Sequence, residues 1–372
     1  MALTYLDHAA TTPMREVAVD AMLPFLSERF ANPSGSHRFS RDARRAIDES
    51  RDRIAELMGV GPGEVVFLGC GTEADNQAIA GVAGVAVCPA AEHHAVLHPV
   101  EARGGRVVGV DAGGHVDLDR LADVLDDRTG VVSVMAVNNE VGTVTDLAAV
   151  SELVRDRAPR AVLHTDAVQA PCWLDLRTIA PLVDCMSFSA HKFGGPKGVG
   201  VLTIRDGIGV DPLLIGGGQE RDRRSGTHNV AGIVAMTAAL AATDAERASE
   251  NHRLAGLRDE LVDGLVDGLE GVTETVPRGR KVAGSAHVCI AGIESESLLF
   301  LLDEAEVCAS AASACASGAM DPSHVLAAMG IDRTVAAGAL RLSLGHPTTS
   351  ADIGRALDVV VDSVGRLRRS AA

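Results

Sequence analysis

The chain has 372 residues, 47% of them hydrophobic and 23% charged, with a formal net charge of −16. That length and apolar content call for a folded protein of about two domains, and the acidic balance argues against a surface built for phosphate backbones, so no direct nucleic-acid partner is expected. Seven scattered cysteines without a C-x-x-C pair favour neither a disulfide framework nor a zinc site, and with no signal pattern or membrane-length apolar run they fit a soluble protein of the reducing cytoplasm.

After a short N-terminal strand, apolar periodicity near 3.6 predicts helices over 17–29 and 40–58. From there β-type runs alternate with helical ones. Strands are expected at 65–68, 85–88, 107–110, 131–137, 161–164, 185–189 and 199–204, and helices at 73–81, 94–102, 118–125 and 147–157. Such alternation implies an α/β protein with a mainly parallel, doubly wound sheet, whose ligands sit beyond the carboxyl ends of the strands. A long helix from about 230 to 269 leads into a smaller α/β unit. That unit holds a strand at 286–290, a helix at 295–303, a small-residue loop at 309–322, a strand at 339–344 and a last helix at 351–368. The boundary is placed inside the long helix, giving a large domain over 13–250 and a small domain made of 1–12 with 251–372.

Only three lysines occur, at 192, 197 and 281. Lys192 stands where a strand-like run ends, in Ser187-Phe188-Ser189-Ala190-His191-Lys192-Phe193-Gly194-Gly195. An amine at a strand edge, followed by glycines that let backbone approach a ligand, is what holding pyridoxal phosphate as a Schiff base requires. The alternative is an ordinary surface lysine in a composition that favours Arg. Asp166 ends the apolar run before Ala167-Val168-Gln169, where it serves either to protonate a pyridine nitrogen, with Gln169 on the ring hydroxyl, or as a helix N-cap. Gly69-Cys70-Gly71-Thr72-Glu73 and Arg224-Ser225-Gly226-Thr227 each precede a helical stretch, where free N–H groups and the helix dipole suit a phosphate. Glu92-His93-His94 offers an imidazole to stack on a ring, against capping or a partial metal site; with no further ligands at zinc-like spacing, stacking is favoured and no metal is expected. Asn138-Asn139-Glu140 supplies amides for a ring oxygen or a carboxylate.

In this order the motifs resemble the cysteine desulfurases among the class V, fold-type I pyridoxal phosphate enzymes. The similarity also takes in Tyr5-Leu6-Asp7-His8-Ala9-Ala10-Thr11-Thr12-Pro13, Asn32-Pro33-Ser34, Glu73-Ala74-Asp75-Asn76 and Arg341-Leu342-Ser343-Leu344-Gly345. It implies a large domain with a seven-stranded-type sheet, Lys192 as Schiff-base lysine, Asp166 on the ring nitrogen, Gln169 on the ring hydroxyl and His93 on the ring face. It implies Gly71, Thr72, Ser189 and His191 on the phosphate, with Thr227 reaching in from the second subunit of a homodimer. Ser313-Ala314-Cys315-Ala316-Ser317-Gly318 is the segment that separates desulfurases from related transaminases, and Cys315 is the implied persulfide-forming nucleophile. Cys70, Cys88, Cys172, Cys185 and Cys289 are expected to be small buried core residues, as free cysteines usually are, and Cys308 is expected to be buried rather than reactive. Two departures from relatives stand out: a short stretch between Asn76 and Glu92, which predicts an abbreviated strand at 85–88, and a chain that stops soon after its last helix, which leaves scaffold docking open.

The implied reaction takes L-cysteine to L-alanine. Arg341, with Asn139 and Asn32, grips the substrate carboxylate; Lys192 removes the Cα proton; the Cys315 thiolate attacks the sulfur, with His93 as a proton acceptor. Rival readings are a class V transaminase or selenocysteine lyase with the same cofactor set, and a non-catalytic sulfur-relay subunit. Sulfur acceptors compatible with the sequence are an iron–sulfur scaffold, a SufE-like carrier, a tRNA-thiolating enzyme and a DNA-sulfur-modification pathway.

Overall fold

The computed structural model describes residues 3–311 and 323–371. The chain begins with strand β1 (Thr4–Tyr5) and helices α1 (Glu16–Ser27) and α2 (Arg38–Met58). Helix α2 starts where the His37 ring accepts from the Ser40 N–H and stops at Gly59, whose φ of 70° lies in the left-handed region that glycine enters freely. The alternation follows as β2 (Val65–Leu68), α3 (Gly71–Ala80), β3 (Val85–Pro89), α4 (His94–Ala102), β4 (Arg106–Val108) and α5 (Leu118–Val124). It continues with β5 (Thr129–Ser133), α6 (Leu147–Arg157), β6 (Val162–Asp166), α7 (Leu176–Ile179), β7 (Cys185–Ser189) and β8 (Gly200–Ile204). The long α8 (Val230–Gly268) leads to β9 (Val272–Glu274), β10 (Ser285–Ile290), α9 (Ser295–Glu304) and β11 (Val307–Cys308). The last elements are α10 (His324–Ala328), α11 (Arg333–Ala336), β12 (Ala339–Ser343) and α12 (Ser350–Ala371).

Seven strands form one sheet in the order β2-β8-β7-β6-β5-β3-β4. It is parallel except for β8, which runs against both β2 and β7, so this is the mainly parallel, seven-stranded sheet expected from the sequence. Strand β3 corrects one expectation. It is not abbreviated: it spans Val85–Pro89 and pairs with β4 and β5 on its two sides. In the turn before it Gly84 takes a φ of 100° and lies against Gly130 across the ladder. Strand β5 ends sooner than expected, at Ser133, although Val134 and Ala136 still donate to the carbonyls of His164 and Asp166. Strand β6 accordingly reaches Asp166, two residues further than its apolar run implied.

The two faces of this sheet differ in a way that creates the site. Val132, Leu163, Met186, Phe188 and Val201 face one core cluster shared with α2, α6 and the first half of α8. On the other face Val131, Val162, Cys185 and Ile204 pack under α3 and α4. Two residues further along each strand that second face turns polar: Ser133, His164 and Asp166, Ser187 and Ser189. All are buried. A second region surrounds the antiparallel β12-β10-β9 sheet, where Leu6 clusters with Leu254, Leu261, Leu265, Val288, Leu340 and Val360. Helix α8 joins the two clusters, with Ile233 and Met236 in the first and Leu261 and Leu265 in the second. The N-terminal strand β1 pairs with β11, and Asp7 bridges to Ser343, which carries residues 6–10 to the mouth of the seven-stranded sheet. Among the described residues no helix is long and apolar enough to cross a membrane.

Candidate active site

Beyond the carboxyl ends of β5, β6 and β7 lies a cavity of about 340 Å³ lined by Thr72, His93, Asn139, Asp166, Gln169 and Lys192, among others. Its size falls in the range of small-molecule sites. Lys192 sits in the single turn that follows β7, between Ser189 and Gly194, whose φ of 88° lets the chain reverse. Its Nζ donates to the carbonyls of Ala9 (2.5 Å) and Ala10 (2.9 Å). Burial, reinforced by the Arg341 charge, lowers the lysine pKa to about 8. The amine is therefore an available nucleophile near neutral pH.

Below it, Asp166 closes β6. No helix follows directly, so its role is not an N-cap: Oδ1 accepts from the Val168 N–H at 2.8 Å. Burial raises this carboxyl to about 6, against the pull of the Val168 N–H and the Lys192 charge. Gln169 shares the wall and donates to the Ala9 carbonyl at 2.8 Å.

The opposite end of the cavity is a donor cradle. Helix α3 begins at Gly71 with Cys70 as its cap, the thiol sulfur accepting from the Glu73 N–H at 3.4 Å. The first N–H groups of a helix lack intrahelical partners and carry the positive end of its dipole. A Cβ on Gly71 would stand 2.7 Å from Val168 Cγ2, so only glycine lets the helix start this close to the sheet. Ser189, Thr72 and His191 complete the wall, with His191 Nδ1 3.2 Å from Thr11 Oγ1. Burial, followed by the neighbouring Lys192 charge, lowers His191 to about 4.

His93 is the N-cap of α4, its Nδ1 accepting from the Ala95 N–H at 3.1 Å, and its ring lines the cavity. Burial and then the Lys192 charge depress its pKa, so the imidazole is neutral and able to take a proton. His94 leads into a ring cluster with His98 and His324, at centroid separations of 4.5 and 4.4 Å. Among the described residues no group of His, Cys, Asp and Glu side chains is arranged to hold a metal ion.

Arg341, buried on β12, enters from the other side. It donates to the Asn139 carbonyl at 2.9 Å and to Asp7 Oδ1 at 2.6 Å, while its buried Nε has no partner. A guanidinium held by one carboxylate and retaining an unused donor suits exchange for a substrate carboxylate.

The chain's own fold thus gathers Gly71, Thr72, His93, Asn139, Asp166, Gln169, Ser189, His191, Lys192 and Arg341 around one cavity. It does not bring Asn32 or Thr227 there. Asn32 is exposed and accepts from the Ser34 N–H, while Thr227 is exposed on a loop tied back through the Arg224–Glu73 ion pair at 2.8 Å. Cys315 lies outside the described residues. Cys88, Cys185 and Cys289 are buried core residues, but Cys70, Cys172 and Cys308 are only half-buried. Cys70 is drawn to the surface of the cavity by its capping role, Cys172 by a bond to the Lys192 carbonyl at 3.6 Å, and Cys308 by the short outer strand β11.

Sequence reasoning missed several lining groups. Asp75 on α3 and Met135 after β5 face the cavity, and the Ala9 and Ala10 carbonyls anchor the lysine. Asp7 holds Arg341. Asp75 carried a legible signal, a charged residue four positions into a helix that must lie on a sheet.

A half-buried amine of lowered pKa, a carboxyl on the same cavity wall, an N-terminal helix cradle and an imidazole fit pyridoxal phosphate. Comparison with known proteins agrees. The family model described as aminotransferase class-V matches residues 4–356. The chain is 42% identical to an IscS-like cysteine desulfurase of Mycobacterium tuberculosis, over 99% of this chain and 98% of the other. It is 40% identical to cysteine desulfurase IscS of Methanosarcina thermophila, over 98% and 92% of the two chains. The fold superposes on a solved NifS-like protein with a TM-score of 0.91 at 33% identity, covering 98% of this chain and all of that one. The chain therefore belongs to the pyridoxal-phosphate-dependent class-V aminotransferase family, in its cysteine desulfurase branch.

Proposed function

We propose that the protein converts L-cysteine to L-alanine and carries the released sulfur as a persulfide on Cys315. The observation that carries this reading is the pairing, in one cavity, of a lysine that titrates near 8 with a buried arginine whose present partner is a carboxylate. Pyridoxal phosphate supplies an aldehyde for the lysine and a cationic ring that accepts electrons from the substrate Cα. The residues do the rest. The Gly71-Thr72 end of α3, with Ser189 and His191, would hold the phosphate; Asp166 would keep the ring nitrogen protonated, and Gln169 and His93 would serve the ring hydroxyl and the ring face. Arg341 releases Asp7 and takes the substrate carboxylate, helped by Asn139. Lys192 Nζ holds the proton taken from Cα. Cys315 gives its proton to His93 and, as thiolate, bonds to the substrate sulfur as the Cβ–sulfur bond breaks; the electron pair left on Cβ takes the proton from His93, Lys192 returns the proton to Cα, and alanine leaves.

Thr227 and Asn32 complete the site from the second subunit of a homodimer. Both are exposed in the single chain, and the exposed apolar side chains Phe30 (72%) and Ile215 (88%) stand on the same two segments. The two core clusters support the division into a large domain over 13–250 and a small domain of 1–12 with 251–372. Sulfur passes to a protein acceptor, whether iron–sulfur scaffold, SufE-like carrier or tRNA-thiolating enzyme, in the cytoplasm, where the half-buried thiols stay reduced. The test is the product balance. Wild-type protein given L-cysteine should form alanine and protein-bound persulfide, and Cys315→Ala should form neither while its cofactor absorbance persists. Undiminished alanine production by Cys315→Ala would contradict the assignment.

A further inference from the structure

The floor of the cavity contains more carboxyl groups than the reaction uses. Asp75, on α3, is 1% exposed and shares the cavity wall with Asp166. Its Oδ1 accepts from the Ser187 hydroxyl, and Ser187 is the cross-strand partner of Asp166 in the β6–β7 ladder. The contact continues inward: Ser187 Oγ lies 3.3 Å from His164 Nε2, and His164 Nδ1 lies 2.8 Å from Ser133 Oγ. This row of hydroxyls and a buried imidazole occupies the polar ends of β5, β6 and β7. Asp166 meets a backbone N–H and faces the Lys192 charge, whereas among the described residues Asp75 meets the Ser187 hydroxyl and a histidine ring with Nε2 3.7 Å away.

We infer that Asp75 is a positioning residue kept as a neutral acid, so that a single negative charge, the one on Asp166, stands under the cofactor ring. Two like charges at close range in a water-poor cavity cannot both persist, and the proton settles on the group with the weaker donors. Of the groups facing Asp75, Asp166 on β6 adds negative potential, as Glu92 and Cys70 would in their charged forms, although burial pushes Glu92 itself toward the neutral acid; the Ser187 hydroxyl works the other way, by donating to Asp75. Burial holds His164 neutral, at about 3, so its ring brings no positive charge to Asp75. Burial followed by the Asp166 charge raises the Asp75 pKa well above the ordinary carboxyl range. In its neutral form Asp75 accepts from Ser187 and fixes α3 over the strand ends, which positions the Gly71 cradle relative to Asp166.

The inference rests on the pyridoxal phosphate site but can fail separately from it. Cofactor-free protein carrying 13C at the aspartate side-chain carboxyl is examined by infrared difference spectroscopy at pH 7.5. The expected result is a protonated-carboxyl band present in wild type and Asp166→Asn and absent in Asp75→Asn. After loading with pyridoxal phosphate, Asp75→Asn should keep the pH midpoint of the cofactor absorbance within about 0.3 unit of wild type, because an amide replaces a group that is already uncharged. Asp75→Leu, without the hydrogen bond, should load cofactor more weakly. Absence of the protonated aspartate band in wild type would overturn the inference whether or not any variant folds. So would an acid shift of the midpoint of about one unit or more in Asp75→Asn, the effect of removing a real negative charge from beside the ring.

Discussion

The two faces of the seven-stranded sheet are built from alternating residues of the same strands, yet they answer to different demands. On the α2 and α6 side Val132, Leu163, Met186 and Phe188 stay apolar along the strands and contribute mainly stability. On the α3 and α4 side the apolar start of each strand gives way to Ser133, His164, Asp166, Ser187 and Ser189 at its carboxyl end. Burying polar groups costs stability unless each finds a partner, so a buried polar patch restricted to strand ends marks where the fold gives up packing for chemistry.

That contrast can be broken from either side. The largest effect belongs to the polar end: Lys192→Ala removes both the acid–base group, typically worth about 10²–10⁴-fold, and the cofactor's attachment, and should lower cysteine desulfuration by about 10³-fold or more. Steady-state alanine production measures it, while thermal stability should change little. On the apolar side Phe188→Ala should cost about 3–5 kcal/mol of folding stability in denaturant titrations, since Phe188 is fully buried against Phe193 at a centroid distance of 6.0 Å. Arg341→Lys keeps a charge but loses the planar fork, and should raise the KM for cysteine by roughly 10–100-fold with a smaller change in kcat. Gly71→Ala should weaken cofactor loading by an amount equivalent to about 1–3 kcal/mol, because its Cβ would meet Val168 at 2.7 Å and push α3 away from the strand ends. The smallest effect is a titration. Burial lowers the Lys192 pKa from 10.5 to about 8, so the deprotonated fraction grows as pH rises and is nearly complete well below the ordinary lysine range. Attachment of pyridoxal phosphate to the cofactor-free protein should therefore speed up with pH and level off above about 8.

Much of this was legible in the residues because the fold repeats a simple local rule. Short apolar or β-type runs bounded by turn residues located β2, β6 and β7, and the residues at or just after their carboxyl ends are Gly71, Asp166 and Lys192. Ends were less legible than elements. Strand β6 extends to Asp166 because its carbonyl still accepts from Ala136, a partner that only the folded ladder supplies. Contacts between distant segments were not legible at all: the Ala9 and Ala10 carbonyls reach Lys192 across some 180 positions, and Asp7 reaches Arg341 across more than 330. Asn32 and Thr227 were read from resemblance, and the single chain leaves both outside its own cavity. Cys70 illustrates the opposite error, since a cysteine that looks like core becomes a helix cap at the site.

The central claim is that one amine of the three lysines, the one lining the cavity with Asp166 and His93, anchors the cofactor. The most direct measurement is borohydride reduction of the pyridoxal-phosphate-loaded protein, followed by peptide mass mapping. The account predicts a pyridoxyl adduct on Lys192. An adduct confined to Lys197 or Lys281, or no adduct, would contradict it.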